Sequence, residues 1–458
     1  MDQAKSVTQD VDTGTAPQSL SLADTIRGAQ HLQRQGQWDQ AQAIYQRILV
    51  AIPDEPNALH YLGILRHQQG DHDAAIDLIH RAITQIPGDA GPWVNLGNVL
   101  LTAGRFDDAI DAYRHAAELA PNNVLVYNNL GLLQSRRHNP ELAEAAFLHA
   151  LRLAPGADYV LNNFGRMLHD QGRYEEATAY SIKTLQVSPN DPKARRLLSI
   201  SYSLLGDFES AQQVLREWLE AEPHSAEAAH LLAGAGGLPI PARASDAYIA
   251  EEFDGFATSF DAKLEILGYK APELIARALT TALGPGQVAD AILDAGCGTG
   301  LCSVLLRPMA RRLDGVDLSS GMLERAKHRG GYDQLTCAEL AAFMTAHPAH
   351  WNAIVSADTL CYFGDLVPAM LAASSALRPQ GLLAFSVEAN ETSEAGYALQ
   401  FNGRYVHSRS YVADCVQAAG MHILALEAQT LRIEVRRPVL GWIVVARRNS
   451  ALAGPLPV

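Results

Sequence analysis

Between Ile292 and Leu301 the chain reads ILDAGCGTGL, and Asp317, 17 residues after Gly300, ends a second apolar run in the stretch GVDLS. The run from Ala289 to Leu293 predicts a buried parallel strand, and Gly296, Gly298 and Gly300 predict a tight turn from it into a helix beginning near Leu301. Glycine accepts positive φ and carries no Cβ, so a ligand can lie directly on such a turn. The exposed N–H groups of the helix start favour an anionic group on that ligand. Asp317, at the carboxyl end of the next strand, is placed to accept both hydroxyls of a ribose.

NAD and FAD sites use a related turn, but their spacing is G-x-G-x-x-G, whereas here it is D-x-G-x-G-x-G. That spacing resembles the cofactor loop of class I S-adenosylmethionine (SAM) methyltransferases. The resemblance implies SAM as cofactor, with its carboxylate at the helix start and Asp294 orienting the loop and the ligand amine. It assigns cofactor contacts to Asp294, Gly296, Cys297, Gly298, Gly300, Asp317, Leu318 and Met322, the last packing on adenine or into the helix core. Glu339, after Ala338, stands where the family more often has an aspartate on the adenine amine. Asp358 ends the fourth strand and faces the cofactor and the methyl-transfer zone, and Tyr362 covers cofactor or substrate. If the acceptor must lose a proton, the candidate bases are Asp358, Tyr362, Glu388 and His407. Upstream, FDGFATSFD resembles the helix that closes over SAM in small methyltransferases. Phe253, Phe256 and Phe260 recur at helical spacing, which fits core packing as well as a cofactor contact by Phe256 or Phe260.

Such a fold needs further strands. SGMLERAKHRG predicts a helix, QLTCAEL a third strand, WNAIVSADTLCYF a fourth strand running into a loop, and GLLAFSVE a fifth; MHILALE and GWIVVARR fit the family's final antiparallel pair. Alternating short strands and helices predict a doubly wound, Rossmann-like sheet with the ligand beyond the strands' carboxyl ends, at the switch between the first and fourth.

The N-terminal half repeats every 34 residues. Leu62-Gly63, Leu96-Gly97, Leu130-Gly131 and Phe164-Gly165 are in register, as are Ala75, Ala109, Ala143, Ala177 and Ala211, and Pro87, Pro121, Pro155, Pro189 and Pro223 close the units. With a degenerate first unit near Leu22 this resembles about six tetratricopeptide repeats (TPR), an all-α right-handed solenoid with a concave groove. Asn95, Asn129 and Asn163 recur at one position of the first helix, and Asn128 and Asn162 precede two of them. This resembles the asparagine ladder in the repeat superhelix of O-linked N-acetylglucosamine transferase, and implies a groove that grips extended peptide through its backbone. The alternative is amides that bond only between repeats. Tyr61 and Leu197 interrupt the series in the second and sixth units.

The expected organisation is a disordered tail over 1–20, a TPR solenoid over 21–225, a capping helix and linker over 226–243, a SAM-dependent methyltransferase domain over 244–450 and a tail over 451–458. A net charge of −14 argues against nonspecific nucleic-acid binding, and SADTLCYF lacks the N/D-P-P-Y/F motif of DNA amino-methyltransferases. The polar start, five cysteines without metal spacing and the lack of an 18-residue apolar run predict a cytoplasmic protein with neither metal nor membrane insertion. The whole order resembles bacterial predicted methyltransferases that contain TPR repeats. Three readings stay open: a protein or peptide methyltransferase whose repeats recruit the acceptor, a small-molecule methyltransferase whose repeats serve assembly, and a SAM-binding scaffold without turnover.

Overall fold

The computed structural model describes residues 21–257, 259–284, 286–390, 396–434 and 437–450; both expected tails and Thr258 lie outside these. The chain divides into two compact units between Phe164 and Gly165, inside the repeats and upstream of the expected junction.

The repeats are helical pairs: α1 (Leu22–Arg34) with α2 (Trp38–Ala51), α3 (Pro56–Gln68) with α4 (His72–Gln85), α5 (Ala90–Thr102) with α6 (Phe106–Leu119), α7 (Val124–Arg136) with α8 (Pro140–Leu153), α9 (Asp158–Asp170) with α10 (Tyr174–Val187), and α11 (Pro192–Leu204) with α12 (Phe208–Ala221). A shorter helix, α13 (Ala226–Gly234), follows them. The 34-residue pattern has a packing cause. A Cβ on Gly63, Gly97 or Gly131 would come within 2.7 Å of Ile79, 2.5 Å of Tyr113 or 2.8 Å of Phe147, so only glycine lets the second helix seat its large side chain. The in-register alanines Ala75, Ala109, Ala143, Ala177 and Ala211 are fully buried. Between the helices of each pair the backbone takes positive φ at Gly36, Gly70, Gly104, His138, Gly172 and Gly206, again once per 34 residues. Each closing proline stands two residues beyond the last helical residue of its pair, where its missing N–H prevents continuation.

Within the second unit, α14 (Asp246–Phe256), α15 (Phe260–Ile266) and α16 (Ala271–Leu283) precede a nine-stranded sheet. The rest alternates β1 (Ala289–Ala295), α17 (Ser303–Leu306), β2 (Ala310–Asp317), α18 (Ser320–Arg329), β3 (Gln334–Cys337), α19 (Leu340–Thr345), β4 (Trp351–Ser356), α20 (Val367–Ala376) and β5 (Leu377–Ala389). It ends with β6 (Tyr397–Leu399), β7 (Tyr405–His407), α21 (Arg409–Ala418), β8 (Met421–Glu434) and β9 (Arg437–Arg448). Strands β3, β2, β1, β4 and β5 lie side by side and parallel; β9 joins β5 antiparallel, and β8 pairs with β9. The order reverses at β1, as expected. Helices cover both faces, so the central strands are apolar throughout: Leu293, Ile354 and Phe385 pack in one layer with α20 and α21, Ile292, Val355 and Ala384 in the other with α16.

Two elements differ from expectation. The helix after the glycine turn is a single turn, Ser303–Leu306, rather than one from Leu301. The final hairpin is longer than MHILALE and GWIVVARR, and the β6–β7 hairpin, with β7 parallel to the end of β5, is additional. No described helix is long and apolar enough to cross a membrane.

Candidate functional site

At the carboxyl end of β1 the chain turns through Gly296, Gly298 and Gly300, all at positive φ. A Cβ on Gly296 would lie 2.2 Å from Thr359 Oγ1, so glycine is obligatory where this turn meets the loop after β4. The turn is tied to β2: Gly296 and Cys297 donate to Val316 O, and Gly298 donates to Asp317 Oδ2 at 2.8 Å. Asp317 Oδ1 accepts from Ser319 N at 2.9 Å. Burial raises Asp317 above the ordinary carboxylate range, against the pull of these N–H donors. Beneath the turn, Asp294 is buried; Tyr332 donates to its Oδ2 at 2.6 Å, while Oδ1 has no partner. Burial pushes Asp294 up to about 7.

These groups border a cavity of about 270 Å³ beyond the strand ends. Gly296, Cys297, Gly298, Asp317, Leu318, Met322, Glu339, Asp358, Tyr362 and Phe256 all line it. Gly300 and Asp294 support it from outside the lining. Glu339 borders the cavity and also caps α19, accepting from Ala341 N and Ala342 N, one on each oxygen. The wall opposite the strands is α14 and α15, which bring Phe253, Phe256 and Phe260 together on the cavity. Two aspartates dock these helices: Asp254 Oδ1 accepts from Ser319 Oγ at 2.5 Å and Gly321 N at 3.1 Å, and Asp261 accepts from Thr299 Oγ1 at 2.5 Å. Lys263 Nζ sits 3.6 Å over the Phe256 ring, and burial pulls it down to about 8.

The far end of the cavity is a network of charges. Asp358, at a left-handed φ of 57°, accepts from Arg432 Nη1 at 2.8 Å through Oδ2, and its buried Oδ1 has no partner. Arg432, 2% exposed, also binds Glu388 and Glu434. Arg404 donates to Glu434 at 2.6 Å, and its Nε lies 2.7 Å from Glu388 without hydrogen-bond alignment. Arg404, Arg432 and Glu434 carry no motif that marks them in the sequence. The available signal was the two-residue alternation that puts Arg432 and Glu434 on one face of an otherwise apolar strand end. Asp358, Cys361 and Glu388 offer ligand atoms within 4.8 Å of one another, yet Arg432 already bonds both carboxylates.

His407 does not reach the cavity. It is fully buried, its Nε2 bonds Phe363 O at 2.8 Å, and burial pulls it down to about 4. Its position is set by β7 lying along the end of β5, and the ring bonds the loop after β4 instead of lining the cavity. Glu388 likewise lies behind Arg432, outside the lining.

In the first unit the asparagines form one chain of bonds. Asn163 donates to Asn128 (2.9 Å), Asn128 to Asn129 (3.1 Å), Asn129 to Asn98 (2.9 Å), Asn98 to Asn95 (3.5 Å) and Asn95 to His60 Nε2 (2.9 Å). Burial pulls His60 down to about 4, which keeps the ring neutral and Nε2 able to accept. Asn98, which also accepts from Tyr113 OH, was not anticipated.

Residues 2–233 match the family model described as Cilia and flagella-associated protein 70 C-terminal domain. The chain belongs to that family. Residues 267–426 match the model described as Methyltransferase domain, so a TPR-like array is followed by a methyltransferase domain. Among curated proteins, Methyltransferase-like protein 27 of Homo sapiens is 44% identical over 90 residues, 19% of this chain and 36% of the relative. The chain thus spans about a third of that relative's length. Malonyl-(acyl-carrier protein) O-methyltransferase of Serratia marcescens is 26% identical over 188 residues, 40% of this chain and 71% of the relative. Among solved structures, Pseudomonas aeruginosa pilF is 20% identical with a TM-score of 0.39, covering 46% of this chain and 95% of that one.

Proposed function

We propose that this methyltransferase is a class I, SAM-dependent enzyme acting in the cytoplasm, and that its repeats recruit a protein or peptide acceptor. The observation that carries the cofactor is the turn at Gly296–Gly300: no side chain fits at Gly296, and the turn sits beside Asp317 and above the unpartnered Asp294 Oδ1. Gly296, Gly298, Asp317, Leu318 and Met322 would hold SAM, with Asp294 supporting the turn. When bound, SAM would supply a methyl group on a sulfonium, whose sulfur leaves as a neutral thioether with the C–S electron pair. The chain's part is then positioning and exclusion of water. Phe253, Phe256 and Phe260 line the cavity, and Arg432 holds one oxygen of Asp358 while the other, buried, has no protein partner and would pair with an acceptor N–H or O–H once a substrate displaces the wall around it. Asp358 is the base where the acceptor must shed a proton, with Tyr362 as its neighbour on the wall.

The amide chain supports peptide recruitment. A carboxamide has two N–H groups, and the inter-repeat bonds use one each from Asn95, Asn129 and Asn163, so a second N–H able to meet a peptide backbone recurs every 34 residues along the chain. A second reading, a small-molecule acceptor with repeats used for assembly, is favoured by the same bonds, since they give the asparagines a structural role of their own. Incubating cell extract with the protein and methyl-labelled SAM separates the two. Label in protein, found by mass spectrometry, is the expected result; label only in small molecules selects the second reading, and no label together with no calorimetric SAM binding refutes both.

A further inference from the structure

Arg196 lies in α11, two 34-residue periods after Asn128 and one after Asn162, at the position that holds asparagine in those repeats. Here the side chain does not continue an amide chain. Its guanidinium grips Glu252 of α14 with both Nη groups, at 2.5 and 2.7 Å, and Nη1 also bonds Glu227 of α13 at 2.8 Å. The pair is sheltered, Arg196 being 26% and Glu252 14% exposed, and a forked, partly buried contact of this kind is stronger and more directional than a surface ion pair.

Glu252 belongs to the wall of the cofactor cavity, one residue before Phe253 and one turn before Phe256. The same helix ends in the Asp254 contacts to Ser319 and Gly321, immediately after Asp317. Thus α14 is held from two sides: by the sixth helical pair through Glu252, and by the start of α18 through Asp254. A second connection supports the opposite wall. His230 of α13 bonds Gly403 O at 2.9 Å, and its ring lies 4.3 Å from the tilted ring of Tyr248 of α14. Next to Gly403 stands Arg404, part of the charge network at the end of the cavity.

We infer that Arg196 is a positioning residue of the methyltransferase pocket: through Glu252 it fixes the helix that supplies Phe253 and Phe256 to the wall, so the last repeat completes the cofactor site. This rests on the cavity being the SAM site. Without the clamp, α14 loses its central anchor, Glu252 keeps only the more distant Lys263 as a positive neighbour on the wall, and the aromatic wall loosens while the sheet stays intact.

The test uses the full chain without and with SAM. In Arg196→Met, amide hydrogen exchange over 248–256 of the ligand-free protein should accelerate at least tenfold while the β1 amides at 292–295 keep their protection. SAM affinity by calorimetry should fall fivefold or more. Arg196→Lys, which keeps the charge but not the fork, should recover part of both losses. Glu227→Gln, which spares the Glu252 contact, should leave affinity within twofold. Glu252→Gln supplies the same measurement should Arg196→Met not fold. Unchanged exchange and affinity in a folded Arg196→Met overturns the inference, and so does global unfolding of both Arg196→Met and Glu252→Gln, which would make the pair a requirement of the whole fold. Failure of the parent protein to bind SAM refutes the cofactor reading instead; the ligand-free exchange result still judges the clamp.

Discussion

Replacing Asp317 by alanine tests the cofactor assignment most directly. In the ligand-free protein the carboxylate already accepts two backbone N–H groups, from Gly298 and Ser319, and each oxygen keeps a further lone pair for a ribose hydroxyl. Charge-assisted bonds to a bound ligand are worth roughly 1.5–3 kcal/mol, so SAM affinity should drop between about tenfold and about a hundredfold. The fold should tolerate the change, because burial raises the Asp317 carboxyl above its ordinary value by penalising the charged form, and removing the group relieves that cost. What is lost on the protein side is the tie between Gly298 and β2, which adds to the affinity loss by loosening the turn. Asparagine should do no better than alanine, since its NH₂ must face one of the two N–H donors. Calorimetric titration with SAM at pH 7.5, with circular dichroism and a melting curve on each variant, gives the comparison. A folded Asp317→Ala that binds SAM within twofold of the parent would refute the reasoning.

Asp294 sets a pH dependence. Its value in the folded state, about 7, lies above the ordinary 3.8, so the native state binds the proton more tightly, and the stability this group contributes is present below about pH 4 and lost as pH rises to 7. Denaturation of the ligand-free protein at pH 5 and 8 should show the decline. The positive charge of a cofactor on the turn that Asp294 supports favours the ionised carboxylate, so SAM affinity should rise by up to roughly tenfold from pH 6 to 8 with release of a proton, measured as buffer-dependent binding heat. Affinity that is flat across this range removes Asp294 from that role. Changing Asn95, Asn129 and Asn163 together to alanine breaks the amide chain at three repeats, at about 0.5–1.5 kcal/mol per lost bond. Partner capture in pull-downs should weaken and the repeats should melt earlier, with SAM affinity unchanged; recovery of the same partners would make the ladder purely structural.

The repeats and the cofactor turn were legible in the sequence because both are local. A helical pair closes on itself within 34 residues, so its glycine, alanine and proline must recur at that period, and the small residues mark the contacts. The turn needs three glycines in five residues between an apolar strand and Asp317. The positions of Asp358 and Tyr362 on the cavity followed from strand order, since parallel strands present their carboxyl ends at one edge, whereas Phe256 was expected there from the resemblance of FDGFATSFD to a closing helix.

Charge partners were not legible in the same way. Asp358, Glu388, Arg404, Arg432 and Glu434 come from four separate segments, and which carboxylate an arginine neutralises depends on the register of β8 against β9 and of β9 against β5. The histidine in YVH read as a candidate base, but pairing of β7 with β5 buried it and committed its Nε2 to a carbonyl. Glu339 read as a ligand contact and does line the cavity, but its second role, capping its own helix through Ala341 N and Ala342 N, was not legible. Likewise, nothing in the 34-residue period foretells that Arg196 meets Glu252, 56 residues away. Short-range packing writes itself into composition and spacing. Electrostatic pairing between distant segments is settled only when the sheet closes, because a charge has no periodicity and takes whichever partner the tertiary fold brings within reach.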